Sequence, residues 1–160
     1  MRNLATATAR WFWLLAWLAL LGLLTLYFTQ KSRPKVTAEG VLMLPRDASG
    51  HYRLEGAING QPVQLMLDTG ATLVSLPQSV AARLGIEPRG TARVATAAGE
   101  VLVGTGHIDS LEMGPLTLYD LAVFINPAQS GQQVLVGMNA LGRLELTQKQ
   151  QTLLLRPLQE

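Results

Sequence analysis

From residue 41 onward the apolar residues come in short runs cut by Gly, Pro and Asn, and this spacing constrains the fold more than any other feature. Such a pattern is typical of an all-β domain. The runs "HYRLEGAI" and "QPVQLMLD" flank Asn59-Gly60, a pair that tolerates positive φ and favours a two-residue hairpin turn. The run "LPQSVAARLG" predicts one short helix, because Pro77 suits its first position and Gly85 its end.

The rest of this region continues the same pattern. We predict a hairpin that turns near Ala98-Gly99 and a further strand or strand pair in "GPLTLYDLAVFIN". The last segment, "QQVLVGMNALGRLELTQKQQTLLLRPL", predicts a strand, a short helical turn and a final hairpin around Lys149-Gln150. Residues 41–160 therefore form the predicted folded domain.

The N-terminal part has a different character. Residues 11–28, "WFWLLAWLALLGLLTLYF", carry no charge, and as a helix they would span about 27 Å at 1.5 Å per residue. That length approaches the apolar thickness of a bilayer, so the run predicts a single transmembrane helix in the lipid bilayer, preceded by a basic segment at residues 1–10. The alternative is a removed leader, since apolar runs also occur in signal peptides. Residues 29–40, "TQKSRPKVTAEG", predict a polar tether.

Charge is divided unevenly along the chain. Residues 1–35 hold five basic and no acidic residues, whereas residues 36–160 hold eight basic and eleven acidic residues, a net of 8 − 11 = −3. The folded domain thus lacks the basic surface that nucleic-acid binding requires. The chain has no cysteine, which excludes disulfides and thiolate chemistry.

The tripeptide Asp68-Thr69-Gly70 ends the apolar run "VQLML" and is followed by Ala71. A carboxylate at the end of a buried strand is unfavourable unless neighbouring groups satisfy it or use it. Gly70 allows a backbone turn that other residues resist, and the Thr69 hydroxyl can bond neighbouring backbone. These residues predict a catalytic loop centred on Asp68.

This loop and its surroundings resemble the retropepsin-like aspartic proteases, in particular the small membrane-anchored bacterial ones. The matching segments are "YRLEGAINGQPVQLMLDTGA", "SLPQSVAARLGI", "RVATAAGEV" and "VLVGMNALGRLEL". The resemblance implies an acid protease barrel with one lobe per chain and one or two short helices. It also implies cleavage of peptide or protein substrates without a metal or organic cofactor, and a location at a bacterial inner membrane with the domain in the periplasm.

Aspartic proteases use two carboxylates that share one proton, because two like charges about 3 Å apart cannot both ionise. This chain has one Asp-Thr-Gly, since Asp109 and Asp120 are each in a different setting. An active enzyme must then be a homodimer that brings two copies of Asp68 together. The resemblance further implies that Thr69 bonds the partner's loop.

The segment "RVATAAGEV" corresponds to the family's flap. Its tip, Thr96, Ala97, Ala98, Gly99 and Glu100, would close over an extended peptide and exclude water. The alternative function is a non-proteolytic domain of the same fold that binds peptides or forms dimers. Elsewhere, we expect His51 and His107 to be surface residues and Asp109, Glu112 and Asp120 to be charges at strand ends.

Overall fold

The structure, a computed structural model, describes residues 4–31, 34–96 and 99–158. The chain divides into two units, residues 1–33 and 34–160. In the first unit, helix α1 covers Leu4–Lys31, and the side chains from residue 11 to residue 27 are all exposed. Within the part of the chain that the structure describes, no helix combines the length and the apolar content that crossing a membrane requires. The transmembrane helix predicted for residues 11–28 is therefore not confirmed.

The second unit is built almost entirely of β-strands, with two short helices, as the spacing of apolar runs predicts. The elements are β1 (Lys35–Val36), β2 (Leu42–Pro45), β3 (Tyr52–Ile58), β4 (Gln61–Leu67), β5 (Val74–Pro77), α2 (Gln78–Arg83), β6 (Gly90–Thr96), β7 (Gly99–Met113), β8 (Leu116–Asn126), β9 (Gln133–Val136), α3 (Met138–Leu141), β10 (Leu144–Lys149) and β11 (Thr152–Pro157).

The larger sheet has seven strands in the order β3-β4-β9-β5-β8-β7-β6. Strand β3 also pairs with β7 through Ala57 and Ile58, so six of these strands close into a barrel and β6 extends beyond it. Barrel closure removes the free sheet edges that would otherwise pair with other chains. The core inside consists of aliphatic side chains such as Leu65, Val74 and Val134, all with no exposed surface.

The smaller sheet has the order β1-β2-β11-β10. Its first strand lies inside the predicted tether at residues 29–40: Lys35 and Val36 pair with β2, and Thr37 accepts a hydrogen bond from the Gly40 amide at 3.0 Å. The folded unit therefore begins at Pro34, before the predicted boundary at residue 41. Polar composition indicated a linker, but backbone pairing of so short a strand needs no apolar side chains.

The predicted turns occur where expected. Asn59 and Gly60 connect β3 to β4 with φ of 50° and 74°, which is the geometry that favours this pair. Helix α2 follows Pro77, and the chain leaves it through Gly85 with φ of 69°. The final hairpin turns through Gln150, whose φ is 53°.

Candidate active site

Asp68 lies where two parallel strands end side by side. Strand β4 ends at Leu67, which is paired in register with Val136 at the end of β9. The Asp68 amide donates a hydrogen bond to the Val136 carbonyl at 3.0 Å, and the Asp68 carbonyl accepts one from the Ala71 amide at 3.2 Å. The backbone on both sides of Asp68 is therefore held, and the side chain leaves the barrel from a defined position.

The carboxylate of Asp68 is half-buried. Its Oδ1 accepts a hydrogen bond from the Gly70 amide at 2.9 Å, and among the described residues no group donates to Oδ2. A Cβ at Gly70 would lie 3.1 Å from Oδ1, and Gly70 does not have a positive φ. The chain turns at Thr69 and Gly70 as predicted, without a positive φ at Gly70. A glycine is favoured here because a Cβ would come close to the carboxylate.

The segment that follows β9 is hydrogen-bonded to the loop that follows Asp68. The amides of Met138 and Asn139 donate to the carbonyls of Ala71 and Thr72 at 2.8 and 3.0 Å. A Cβ at Gly137 would lie 2.4 Å from the Leu73 carbonyl oxygen, a distance that no side chain can occupy. Position 137 therefore requires a glycine, because the backbone of Ala71 and Leu73, in the loop that follows Asp68, passes directly over it.

The side chain of Asn139 helps to hold the loop in place, a role that sequence reasoning missed. Its Oδ1 accepts from the Val74 amide at 3.0 Å, and its Nδ2 donates to the Ala122 carbonyl at 2.8 Å. The amide thus joins the end of the loop to β8 and α3. An asparagine two residues after a buried glycine was the available signal, because this side chain both donates and accepts.

A cleft of about 390 Å³ opens beside Asp68. The loop contributes Gly70 and Ala71 to its lining, and the β6–β7 hairpin contributes Val94, Ala95 and Val103. The wall between them comes from neighbouring strands of the barrel and consists of Leu73, Ser75, Phe124 and Leu135. The cleft is mainly apolar and has a carboxylate at one end, which suits an extended peptide whose main chain lies near Asp68.

The predicted flap corresponds to the hairpin of β6 and β7, which turns where expected because Thr96 pairs with Gly99. Ala97 and Ala98 lie outside the described residues. Gly99 has φ of 115°, and Glu100 is exposed with a carboxylate 4.0 Å from Arg93. The described residues that line the cleft from this hairpin are Val94, Ala95 and Val103, of which Ala95 pairs with the tip residue Glu100.

Asp68 also lines a second cleft, of about 230 Å³. Thr69, His51, Leu141 and Leu146 contribute to its lining. Thr69 is exposed, and its hydroxyl has no hydrogen-bond partner among the described residues. His51 is exposed as predicted, and it lines the same cleft as Asp68 and Thr69.

The prediction that the other acidic residues stand at strand ends holds for Glu112, one residue before the end of β7, but not for Asp109 and Asp120. Asp109 and Glu112 lie within β7 and Asp120 within β8. Asp120 has φ of 58° and its Oδ1 is 2.5 Å from His107 Nε2. The expectation failed for Asp109 and Asp120 because β7 and β8 are longer than the apolar runs that marked them, and both residues are exposed on these strands.

Comparison with known proteins provides three findings. Residues 54–143, more than half of the chain, match the family described as "gag-polyprotein putative aspartyl protease". A Sinorhizobium sp protein described as "Uncharacterized protein in cobV 5'region" is 24% identical over 110 residues, covering 67% of this chain and 47% of that protein. This chain therefore spans about half of that relative's length.

The third finding concerns a solved structure. The crystal structure of a retropepsin-like aspartic protease from Rickettsia conorii has a TM-score of 0.59 and 20% sequence identity, and the match covers 72% of this chain and 89% of that one. At this identity the likeness establishes the fold. The predicted retropepsin-like architecture is confirmed.

Proposed function

Because the chain belongs to the aspartyl protease family that residues 54–143 match, we propose that it is an aspartic endopeptidase active as a homodimer. Asp68 is the catalytic residue, and Thr69 and Gly70 shape its loop. Ala71 and the hairpin tip at residues 96–100 complete the cleft for a peptide or protein substrate. The observation that carries the proposal is that Asp68 lines two clefts, with one carboxylate oxygen held by the Gly70 amide and the other without a donor among the described residues.

The proposed mechanism follows from pairing two such carboxylates. Across a two-fold axis, two Asp68 side chains share one proton, and the pair titrates as a unit. The ionised carboxylate removes a proton from a water molecule, which attacks the scissile carbonyl carbon, while the protonated carboxyl donates a hydrogen bond to the carbonyl oxygen. The peptide bond then breaks as the amine leaves with a proton.

The homodimer is supported by the count of catalytic motifs. The chain contributes a single Asp-Thr-Gly, so one chain supplies one carboxylate of the pair. The exposed hydroxyl of Thr69 is available to bond the partner's loop, and the second cleft beside Asp68 and Thr69 is then part of the subunit interface. An isologous contact of this kind places the same residues opposite each other.

Replacing Asp68 with Asn tests the reaction. The variant keeps the size of the side chain and a carbonyl oxygen that accepts from the Gly70 amide, but it cannot act as a base. We expect cleavage of a peptide library to fall by about 10²- to 10⁴-fold or more, with an unchanged dimer. Asp109→Asn, at a carboxylate whose side chain is 91% exposed, is the matched control. Full cleavage by Asp68→Asn would refute the proposal.

The cellular location is a separate proposal. Side chains from residue 11 to residue 27 are exposed on every side of α1, and they include Trp11, Leu15 and Leu18, each exposed by 63% or more. We propose that this segment associates with a bacterial inner membrane and that the protease domain lies in the periplasm. Fractionation with intact-mass measurement and a C-terminal reporter tests it. A soluble chain that lacks about the first thirty residues would support a removed leader instead.

A further inference from the structure

Ser75 is unusual among the described residues because it is the only polar or charged one that is buried, with 8% of its surface exposed. It lies in β5 and is paired in register with Phe124 on one side and with Leu135 on the other. All three residues line the cleft that contains Asp68. A hydroxyl is thus placed between two apolar side chains in the wall of the substrate cleft.

The hydrogen bonds of Ser75 have a fixed direction. Gln129 donates from Nε2 to the Gln133 carbonyl at 2.7 Å, and because a main-chain carbonyl only accepts, that atom is the amide nitrogen. The other amide atom, Oε1, lies 2.9 Å from Ser75 Oγ and accepts its proton. The hydroxyl proton of Ser75 is therefore donated to Gln129, and Ser75 Oγ can still accept a hydrogen bond from another group.

A donor lies on the same cleft. Asn126 Oδ1 accepts from the Ala128 amide at 2.9 Å, so its other amide atom is the nitrogen. Among the described residues, Asn126 Nδ2 has no hydrogen-bond partner, and Asn126 lines the cleft with Ser75. Besides Asp68 and Thr72, the cleft lining thus includes an acceptor at Ser75 and a donor at Asn126, a pair that complements a carboxamide.

The geometry points to Ser75 and Asn126 as specificity residues that select a substrate with an asparagine or glutamine side chain next to the scissile bond. This inference rests on the proposed function, since the occupant is a peptide bound beside Asp68. The substrate amide donates to Ser75 Oγ and its carbonyl accepts from Asn126 Nδ2. An apolar side chain of the same size leaves both groups without a partner in a desolvated site, and such a loss is unfavourable.

Peptide binding and cleavage test the inference together. Full-length Asp68→Asn is titrated with peptides that differ only as Asn against Leu, or Gln against Met, at each position near the cut. We expect the carboxamide peptide to bind about tenfold more tightly at one position, as a hydrogen bond of ordinary strength predicts. The same preference is expected in kcat/KM for the chain with Asp68 intact.

Two variants assign that preference to the two residues. Ser75→Ala removes the acceptor, and Asn126→Asp keeps the oxygen that accepts from Ala128 while it removes the donor. Each is expected to bring the ratio of the two affinities close to one, whereas Ser75→Thr retains the hydroxyl and the preference. Ser79→Ala, at an exposed serine of α2, is the matched control, and thermal unfolding verifies that every variant is folded.

The outcomes separate this inference from the proposed function. Equal affinity for the paired peptides, or a preference that Ser75→Ala and Asn126→Asp both leave unchanged, would overturn the assignment even if cleavage depends on Asp68. Selective binding without cleavage at any pH would overturn the proposed protease activity while it supports the pocket.

Discussion

At the scale of single residues, Gly137 shows how a close backbone contact can restrict a position to glycine. A Cβ there would lie 2.4 Å from the Leu73 carbonyl oxygen and 2.8 Å from that of Ala71. Since both are backbone atoms of the active-site loop, they cannot move aside as a side chain can. We expect Gly137→Ala to lower the free energy of unfolding by about 1–3 kcal/mol or more.

Chemical denaturation measures this change. Gly106→Ala is the matched control because its Cβ would meet only the ends of Val123, Ile125 and Ile86 side chains, at 3.3–3.5 Å, which can adjust. Neither glycine has a positive φ, so the comparison isolates the contact. Equal destabilisation by the two variants would contradict the steric explanation.

In the proposed homodimer, Thr69 is a residue whose role depends on the partner subunit. Its hydroxyl is exposed and, within the described residues, makes no hydrogen bond. We expect Thr69→Val to weaken the dimer, raising its dissociation constant by about tenfold for the lost bonds, without destabilising the separate subunit.

Sedimentation of diluted samples measures the dissociation constant for this variant. Thr117→Val, at another exposed threonine, is expected to have no effect. If Thr69→Val instead lowered the stability of the monomer and left the dimer intact, the hydroxyl would have an intrachain role.

The residue scale also shows what sequence reasoning can reach. Asp68 was identified because a carboxylate after an apolar strand stands out from its surroundings. Ser75 and Asn126 were not, because a serine and an asparagine in a β-rich chain are ordinary until the strand register places them beside Asp68. Gly70 was predicted for its turn, whereas its close approach to the Asp68 carboxylate was not predicted, since approach distances are not encoded by local composition.

At the scale of elements, the β2–β3 connection is organised by Asp47. Its Oδ1 accepts hydrogen bonds from the amides of His51 and Ser49, both at 2.9 Å, and from the Ser49 hydroxyl at 2.7 Å. Arg53 approaches Oδ2 to 2.7 Å. The His51 amide and then the Ser49 hydroxyl lower the pKa of Asp47 below its usual value, more than burial raises it.

This shift has a defined consequence for stability. A carboxyl whose pKa is lowered by folding stabilises the native state above the unfolded pKa of about 3.9. That contribution is lost as the pH falls through the lower folded pKa. We therefore expect Asp47→Asn to have a lower free energy of unfolding than the wild type above about pH 4. The difference between the two should become smaller below that pH.

Urea denaturation between neutral and acidic pH tests this prediction. Glu87→Gln is the control, because Glu87 is exposed and forms no hydrogen bond or ion pair with the described residues. If the difference in the free energy of unfolding between Asp47→Asn and the wild type stays constant through acidic pH, the carboxylate does not act through its pKa.

The sequence predicted individual helices and hairpins better than it predicted other features of the structure. The hairpin at Asn59-Gly60 and the helix after Pro77 depend on local backbone preferences, which a short window of sequence contains. The parallel pairings of β4 with β9 and of β5 with β8 join strands that are far apart in the chain. Residues 71 and 73 of the loop that follows Asp68 lie over Gly137. The resemblance to a known family implied the barrel, but the sequence did not predict these pairings.

At the scale of the whole molecule, the question is how many chains make one active site. A single chain carries one Asp-Thr-Gly, so the proposed acid pair requires two. The consequence is a concentration dependence: specific activity should fall on dilution below the dissociation constant of the dimer. A monomeric enzyme would keep the same specific activity.

Mixing subunits provides the stronger test. When wild type is equilibrated with an equal amount of Asp68→Asn, random pairing leaves about one quarter of the dimers with two Asp68 residues, whereas about one half of the chains remain wild type. Activity should therefore fall to about one quarter of that of the same total amount of wild type. Asp109→Asn in place of Asp68→Asn should leave activity unchanged. A fall to one half would mean that each chain cleaves by itself, because only independent sites lose activity in proportion to the chains replaced.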